Sequence, residues 1–87
     1  MVEIYFINNG NKTFSVKIKI IKNDNDLSLR ILNVDEIDKI GHTSFTKLKN
    51  IFTYKDIPFN TVKYNGIFNN LINQLQKKFK VNKINLF

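Results

Sequence analysis

Residues 13–21 alternate strictly between apolar and polar side chains: Phe14, Val16, Ile18 and Ile20 fall on one face, Thr13, Ser15, Lys17 and Lys19 on the other. A period of two is the signature of a strand with one face in a core. Such a strand needs hydrogen-bonding partners, so this stretch commits the chain to a sheet. The flanking segments supply candidates. Residues 2–7 carry Val2, Ile4 and Phe6 on one face, and residues 27–33 carry Leu27, Leu29 and Ile31. Together they predict a three-stranded antiparallel meander.

Opposed residues on paired strands share a face. Matching the apolar faces pairs Phe6 with Phe14, Ile4 with Val16 and Val2 with Ile18, and leaves Asn9-Gly10-Asn11 as a three-residue loop. A two-residue Asn9-Gly10 turn would set that apolar face against Thr13 and Ser15 and is rejected. The second hairpin closes on Asn23-Asp24 in a primed turn, pairing Ile20 with Leu27, Ile18 with Leu29 and Val16 with Ile31. Glu3, Lys17 and Arg30 then form a row on the outer face.

The middle of the chain reads as broken helix. Asp35 and Glu36 suit a first turn and Gly41 an end, giving a short helix near 34–40. Ser44 can cap a second, with Phe45, Leu48, Ile51 and Phe52 on one stripe. Residues 54–64 run extended, with Val62 and Tyr64 as a short strand, and Pro58 marks a loop or edge. Asn65 can cap a final helix running to about Lys80. Its Ile67, Phe68, Leu71, Ile72, Leu75 and Phe79 lie in one arc, and Asn69, Asn70, Asn73, Lys77 and Lys80 lie opposite. Ile84 and Leu86 can add a last short strand. The expected fold is α+β: a three-stranded antiparallel meander packed against a long C-terminal amphipathic helix, with two short helices between, in a single domain over residues 1–87.

Charge is unevenly placed. Residues 1–43 are neutral overall, whereas residues 44–87 hold eight lysines and one acid, Asp56, and carry the whole net charge of +7. The chain is also rich in Asn (14), Lys (13) and Ile (13) and has no alanine. Codons for Asn, Lys and Ile are the richest in A and T, so base composition accounts for part of the lysine. It does not account for the removal of acids from one half.

Several function classes lose support. With no cysteine there is no disulfide, thiolate zinc site or cysteine nucleophile, which fits a reducing cytosol and a cytoplasmic protein. No apolar run approaches the ~20 residues of a membrane span, and the N-terminus lacks a basic signal-peptide region. No phosphate loop, nucleophile elbow or zinc-finger spacing occurs. His42, in Gly41-His42-Thr43-Ser44, has hydroxyls nearby in sequence but no evident third partner. A cluster such as Asp35, Glu36 and Asp38 can hold a metal, but their spacing matches helix N-terminal acids, and that structural role is sufficient explanation. Asp24-Asn25-Asp26 begins like a calcium loop but lacks the glycine and closing glutamate. No catalytic residue, metal or cofactor is therefore expected.

What remains points to a small non-enzymatic binding protein. Lys47, Lys49, Lys55, Lys63, Lys77, Lys80 and Lys83, with Tyr54 and Tyr64 as stacking platforms, suggest that the basic half engages nucleic acid or a nucleoprotein. One arginine against 13 lysines argues against bidentate guanine readout. Tyr5, Lys17, Lys19 and Arg30 form a second candidate surface on the outer sheet face, beside Ile7, Ile21 and Leu32. That surface suits the alternative, a protein-binding inhibitor or adaptor such as a phage or mobile-element protein that blocks a host nucleic-acid enzyme. A minor hydrolase or nuclease built on His42 or the acids at 35–38 is the third reading.

Overall fold

The computed structural model describes residues 1–55 and 59–87, so Asp56 and Pro58 lie outside the described residues. The chain runs β1 (Val2–Asn9), β2 (Lys12–Lys22), β3 (Asp26–Lys39), β4 (Phe45–Thr53), α1 (Asn65–Phe79) and β5 (Lys83–Leu86). The strands form one sheet in the order β1-β2-β3-β4, antiparallel throughout, and β5 pairs with β3 in parallel. Among the described residues the fold is mostly sheet with one helix. This overturns the expected three strands, two short helices and long C-terminal helix: α1 has 15 residues, spans about 22 Å and is followed by β5.

Both expected short helices are strand. The acids at 35, 36 and 38 lie in the second half of the 14-residue β3. Residues 45–53, read as a helix capped by Ser44, are β4. Two bulges explain the misreading. Val34 pairs with Phe52 but Asp35 with Asn50, so Ile51 is extra; Glu36 pairs with Lys49 but Ile37 with Lys47, so Leu48 is extra. Each insertion stretches the strand's period from two to three. The spacing 45-48-51-52 thus imitates a helical stripe.

The first hairpin takes a register other than those weighed from sequence. Asn9 pairs with Lys12 across a two-residue Gly10-Asn11 turn, with Gly10 at φ 67° in the first position, as a II′ turn requires. Ile7 therefore faces Phe14 and Tyr5 faces Val16. A one-residue slip exchanges faces: Tyr5 and Ile7 are buried, while Val2, Ile4 and Phe6 are each about half exposed. In the second hairpin Asn23 N–H donates to the Asp26 carbonyl, so the turn is Asp24-Asn25 rather than Asn23-Asp24. That two-residue shift keeps the faces and pairs Ile20 with Leu29 and Ile18 with Ile31. A bulge at Leu32 then brings Val16 opposite Val34.

The core lies between the inner sheet face and α1. Ile7, Val16, Ile18, Leu27, Leu29 and Val34 are fully buried from the sheet, and Ile67, Leu71 and Leu75 from the helix. Phe68, Ile72 and Phe79 flank the contact. The segment expected as a Val62–Tyr64 strand is a turn built on Asn60. The Asn60 side-chain oxygen accepts from the Val62 and Lys63 amides, and its carbonyl accepts from Tyr64 N–H. Tyr64, not Asn65, occupies the position before α1, without a side-chain cap.

The opposite face is outer. The sheet curls there strongly enough that Phe6 on β1 stacks on Phe45 on β4, centroids 5.0 Å apart and planes at 16°, although two strands separate them in the sheet. Uncurled, those strands would lie about 14 Å apart. Ile37, on this outer face opposite Thr13, is buried yet lies outside the main core cluster.

Candidate binding surface

The basic half does not form one patch. Lys47 and Lys49 sit on β4 opposite Ile37 and Glu36, whereas Lys83 sits on β5 opposite Asp26. Eleven residues of β3 separate those positions, about 36 Å of strand, and the molecule's longest dimension is 39 Å. Lys77 and Lys80 lie at the end of α1, on the way to Lys83. The structure thus gathers Lys77, Lys80 and Lys83 near one end and Lys47 and Lys49 near the other. Lys47 is already paired with Asp35 at 3.4 Å.

Both proposed stacking tyrosines are engaged. The Arg30 guanidinium lies 4.8 Å from the Tyr54 ring centroid and 4.6 Å from that of Phe87. It donates from Nη1 to the Tyr54 hydroxyl and from Nε to the Phe87 carbonyl at 3.1 Å. Lys55, at φ 81°, places its ammonium 5.8 Å from the same tyrosine ring. Tyr64 stacks on Phe59 at 5.4 Å and packs against the core, with the Lys63 ammonium 5.4 Å from its ring.

Arg30 has a structural task. β4 and β5 lie end to end along the same edge of β3, and their junction is where Tyr54 N–H donates to the Leu32 carbonyl and Phe87 N–H to that of Leu29. Arg30 closes this seam from the outer face.

The second candidate surface is rearranged. Tyr5 and Ile7 belong to the inner face and leave it. Glu3 leaves it too, pairing with Ile18 instead of standing in a row with Lys17 and Arg30. At the sheet margin Tyr5 donates its hydroxyl to the Glu3 carboxylate, and Lys78 of α1 reaches the same carboxylate at 2.9 Å. The hydrogen bond from Tyr5, then that from Lys78, holds the Glu3 carboxyl below its usual range. Burial, and then donation to Glu3, pushes the Tyr5 hydroxyl up. The bond to Glu3 raises Lys78.

Lys17 and Lys19 stay on the outer face, exposed, and their cross-strand neighbours on β1 are Ile4 and Val2. The outer face therefore carries an exposed stripe, Val2-Ile4-Phe6 continued by Phe45, bordered by two lysines. Sequence reasoning assigned this stripe to the core. The signal for it was present: five of the six residues from 2 to 7 are apolar, so either facing leaves apolar groups outside. Beyond the lysines lies a polar pad. Asn50 Nδ2 donates to Asn33 Oδ1 (2.7 Å) and Asp35 Oδ1 (2.9 Å), Asn33 Nδ2 donates to Asp35 Oδ2 (2.7 Å), and Thr53 donates to Asn33 (3.2 Å).

The catalytic alternatives do not assemble. Asp35 and Glu36 are consecutive strand residues on opposite faces, paired with Lys47 and Lys12 respectively, so their reading as helix N-terminal acids is also corrected. His42 stands exposed in the β3–β4 turn, which Ile40 N–H closes onto the Ser44 carbonyl. Among the described residues there is no cluster of three or more potential metal ligands, and no helix is long and apolar enough to cross a membrane. Comparison with protein-family models, with curated proteins and with solved structures finds no match for this chain.

Proposed function

We propose that this is a non-enzymatic binding protein, an inhibitor or adaptor, that docks a protein partner on the outer face of β1 and β2. The observation that carries the reading is the exposed Val2-Ile4-Phe6 stripe set directly against Lys17 and Lys19. Adjacent half-exposed apolar side chains on a rigid sheet favour an interface. The chain carries +7, and Asp35, the one acid on this part of the outer face among the described residues, is paired with Lys47, so the complementary partner surface is apolar with an acidic rim.

Nucleic acid is the less favoured partner. Its stacking platforms are occupied, its one arginine is held in a structural seam, and its lysines are dispersed, with Lys47 and Lys49 far along β3 from Lys83. Affinity capture from the native host tests the choice, comparing wild type with Ile4→Glu after nuclease treatment. Ile4 is exposed, so the variant keeps the fold but places an acid beside Lys17. The expected result is a stoichiometric protein that survives nuclease and is lost, at least tenfold, with Ile4→Glu. Capture that disappears with nuclease, together with duplex binding whose log–log salt slope is about −3 to −5, would instead establish nucleic acid as the partner.

A further inference from the structure

We propose that α1 guards the open edge of β1, and that this edge is a latent pairing site for β1 of a second copy of this chain. β1 ends the sheet, so the backbone groups facing away from β2 have no strand to bond. The Met1 carbonyl accepts from Ile20 N–H, placing odd-numbered residues toward β2 and even-numbered ones toward the edge. The edge carbonyls of Phe6 and Asn8 are held by side-chain amides of the helix: Gln74 Nε2 donates to Phe6 O and Asn70 Nδ2 to Asn8 O, both at 3.2 Å. Gln74 also donates to Asn70 Oδ1 at 3.1 Å, so the two amides support each other.

The guard is a continuous helical stripe. Gly66, Asn70, Gln74 and Lys78 recur every four residues and meet Asn9, Asn8, Phe6 and Glu3 in turn. Twelve helical residues rise about 18 Å, and six strand residues span about 20 Å, so helix and edge stay in step. At the start of the stripe a Cβ on residue 66 would lie 2.7 Å from the Asn9 side-chain oxygen, so glycine permits the close approach. The abundance of asparagine is what composition alone attributes to codon usage. Here Asn70 and Gln74 perform the edge protection that other sheets obtain from charge or proline.

The occupant follows from the strand itself. Antiparallel pairing of two β1 strands about Ile4 opposes Val2 to Phe6 of the second copy and Ile4 to its own counterpart. The even residues, whose backbone groups face the edge, are also those with exposed apolar side chains. One register thus completes the ladder and joins two outer stripes, a self-complementary two-fold contact. The charge of +7 on each copy opposes this pairing, so salt strengthens it.

The test is sedimentation equilibrium of the full chain and of the Asn70→Ala/Gln74→Ala variant at 0.1 M and about 0.5 M salt. The variant is expected to dimerise at least tenfold more tightly than wild type, and more tightly at high salt. Adding Ile4→Pro, whose missing N–H faces the edge and not β2, abolishes the dimer, whereas adding Ile4→Val, which keeps that N–H, does not. If the double variant loses its native circular dichroism, Gln74→Ala alone carries the same comparison. Equal self-association of wild type and variant, or a variant dimer that tolerates Ile4→Pro, overturns the proposal.

Discussion

Leu71→Ala is expected to lower stability by about 3.5 kcal/mol, the middle of the range for truncating a fully buried leucine. Leu71 is wholly buried at the centre of the helical stripe, between Ile67 and Leu75, in the same core cluster as the fully buried Ile7, Val16 and Ile18 of the sheet. Among the described residues α1 is the one helix packed on the inner face, and a cavity left beneath it collapses only partly. A domain of this size has a total stability of about 5–15 kcal/mol, and each kilocalorie shifts the melting temperature by about 4–8 °C. The melting temperature should therefore fall by more than 10 °C. The urea midpoint should fall with the slope unchanged, whereas Ile72→Ala, at a half-buried site, should cost less than half as much. A loss below 1 kcal/mol for Leu71→Ala would mean that α1 does not close the core.

Arg30→Ala is expected to cost about 1–2 kcal/mol, and Arg30→Lys to recover little of it. The planar guanidinium lies against both the Tyr54 and Phe87 rings and uses two separate N–H groups to bond the residue after β4 and the residue after β5. Cation–π contacts at partly exposed sites are worth about 0.5–1 kcal/mol each, and a compact ammonium cannot reproduce the fork. Because β5 is four residues long, the loss should be local. Hydrogen exchange at the Phe87 amide, which bonds the Leu29 carbonyl, should accelerate far more than at core amides of β2. Full rescue by lysine would show that charge alone closes the seam.

The elements legible in the sequence are those where period and geometry agree. The alternation of Phe14, Val16, Ile18 and Ile20 identifies β2, and the same period gives the first half of β3. The arc of Ile67, Leu71 and Leu75 locates α1, although not the architecture around it. β4 was hidden because Leu48 and Ile51 are bulge residues, which give a strand a helix-like spacing. Asp35 and Glu36 carried a helix-start signal that the long β3 ladder overrode, each acid gaining a lysine on its own face. The β1 facing was undecided by hydrophobicity, since Val2-Ile4-Phe6 and Tyr5-Ile7 are both apolar sets. Gly10 decided it by fixing a two-residue turn. That single residue sets the Val2-Ile4-Phe6 stripe on the surface.

The facing of β1 decides whether Val2, Ile4 and Phe6 are available to a partner, and the absence of cysteine makes it directly measurable. Single-cysteine variants Ile4→Cys, Phe6→Cys and Ile7→Cys, each checked for native circular dichroism, give unambiguous maleimide labelling rates. Ile4→Cys and Phe6→Cys should label within about tenfold of an unfolded control, and Ile7→Cys should be protected by the global stability, on the order of a hundredfold or more. Protection of positions 4 and 6 with rapid labelling at 7 would place the apolar stripe in the core and remove the proposed binding surface.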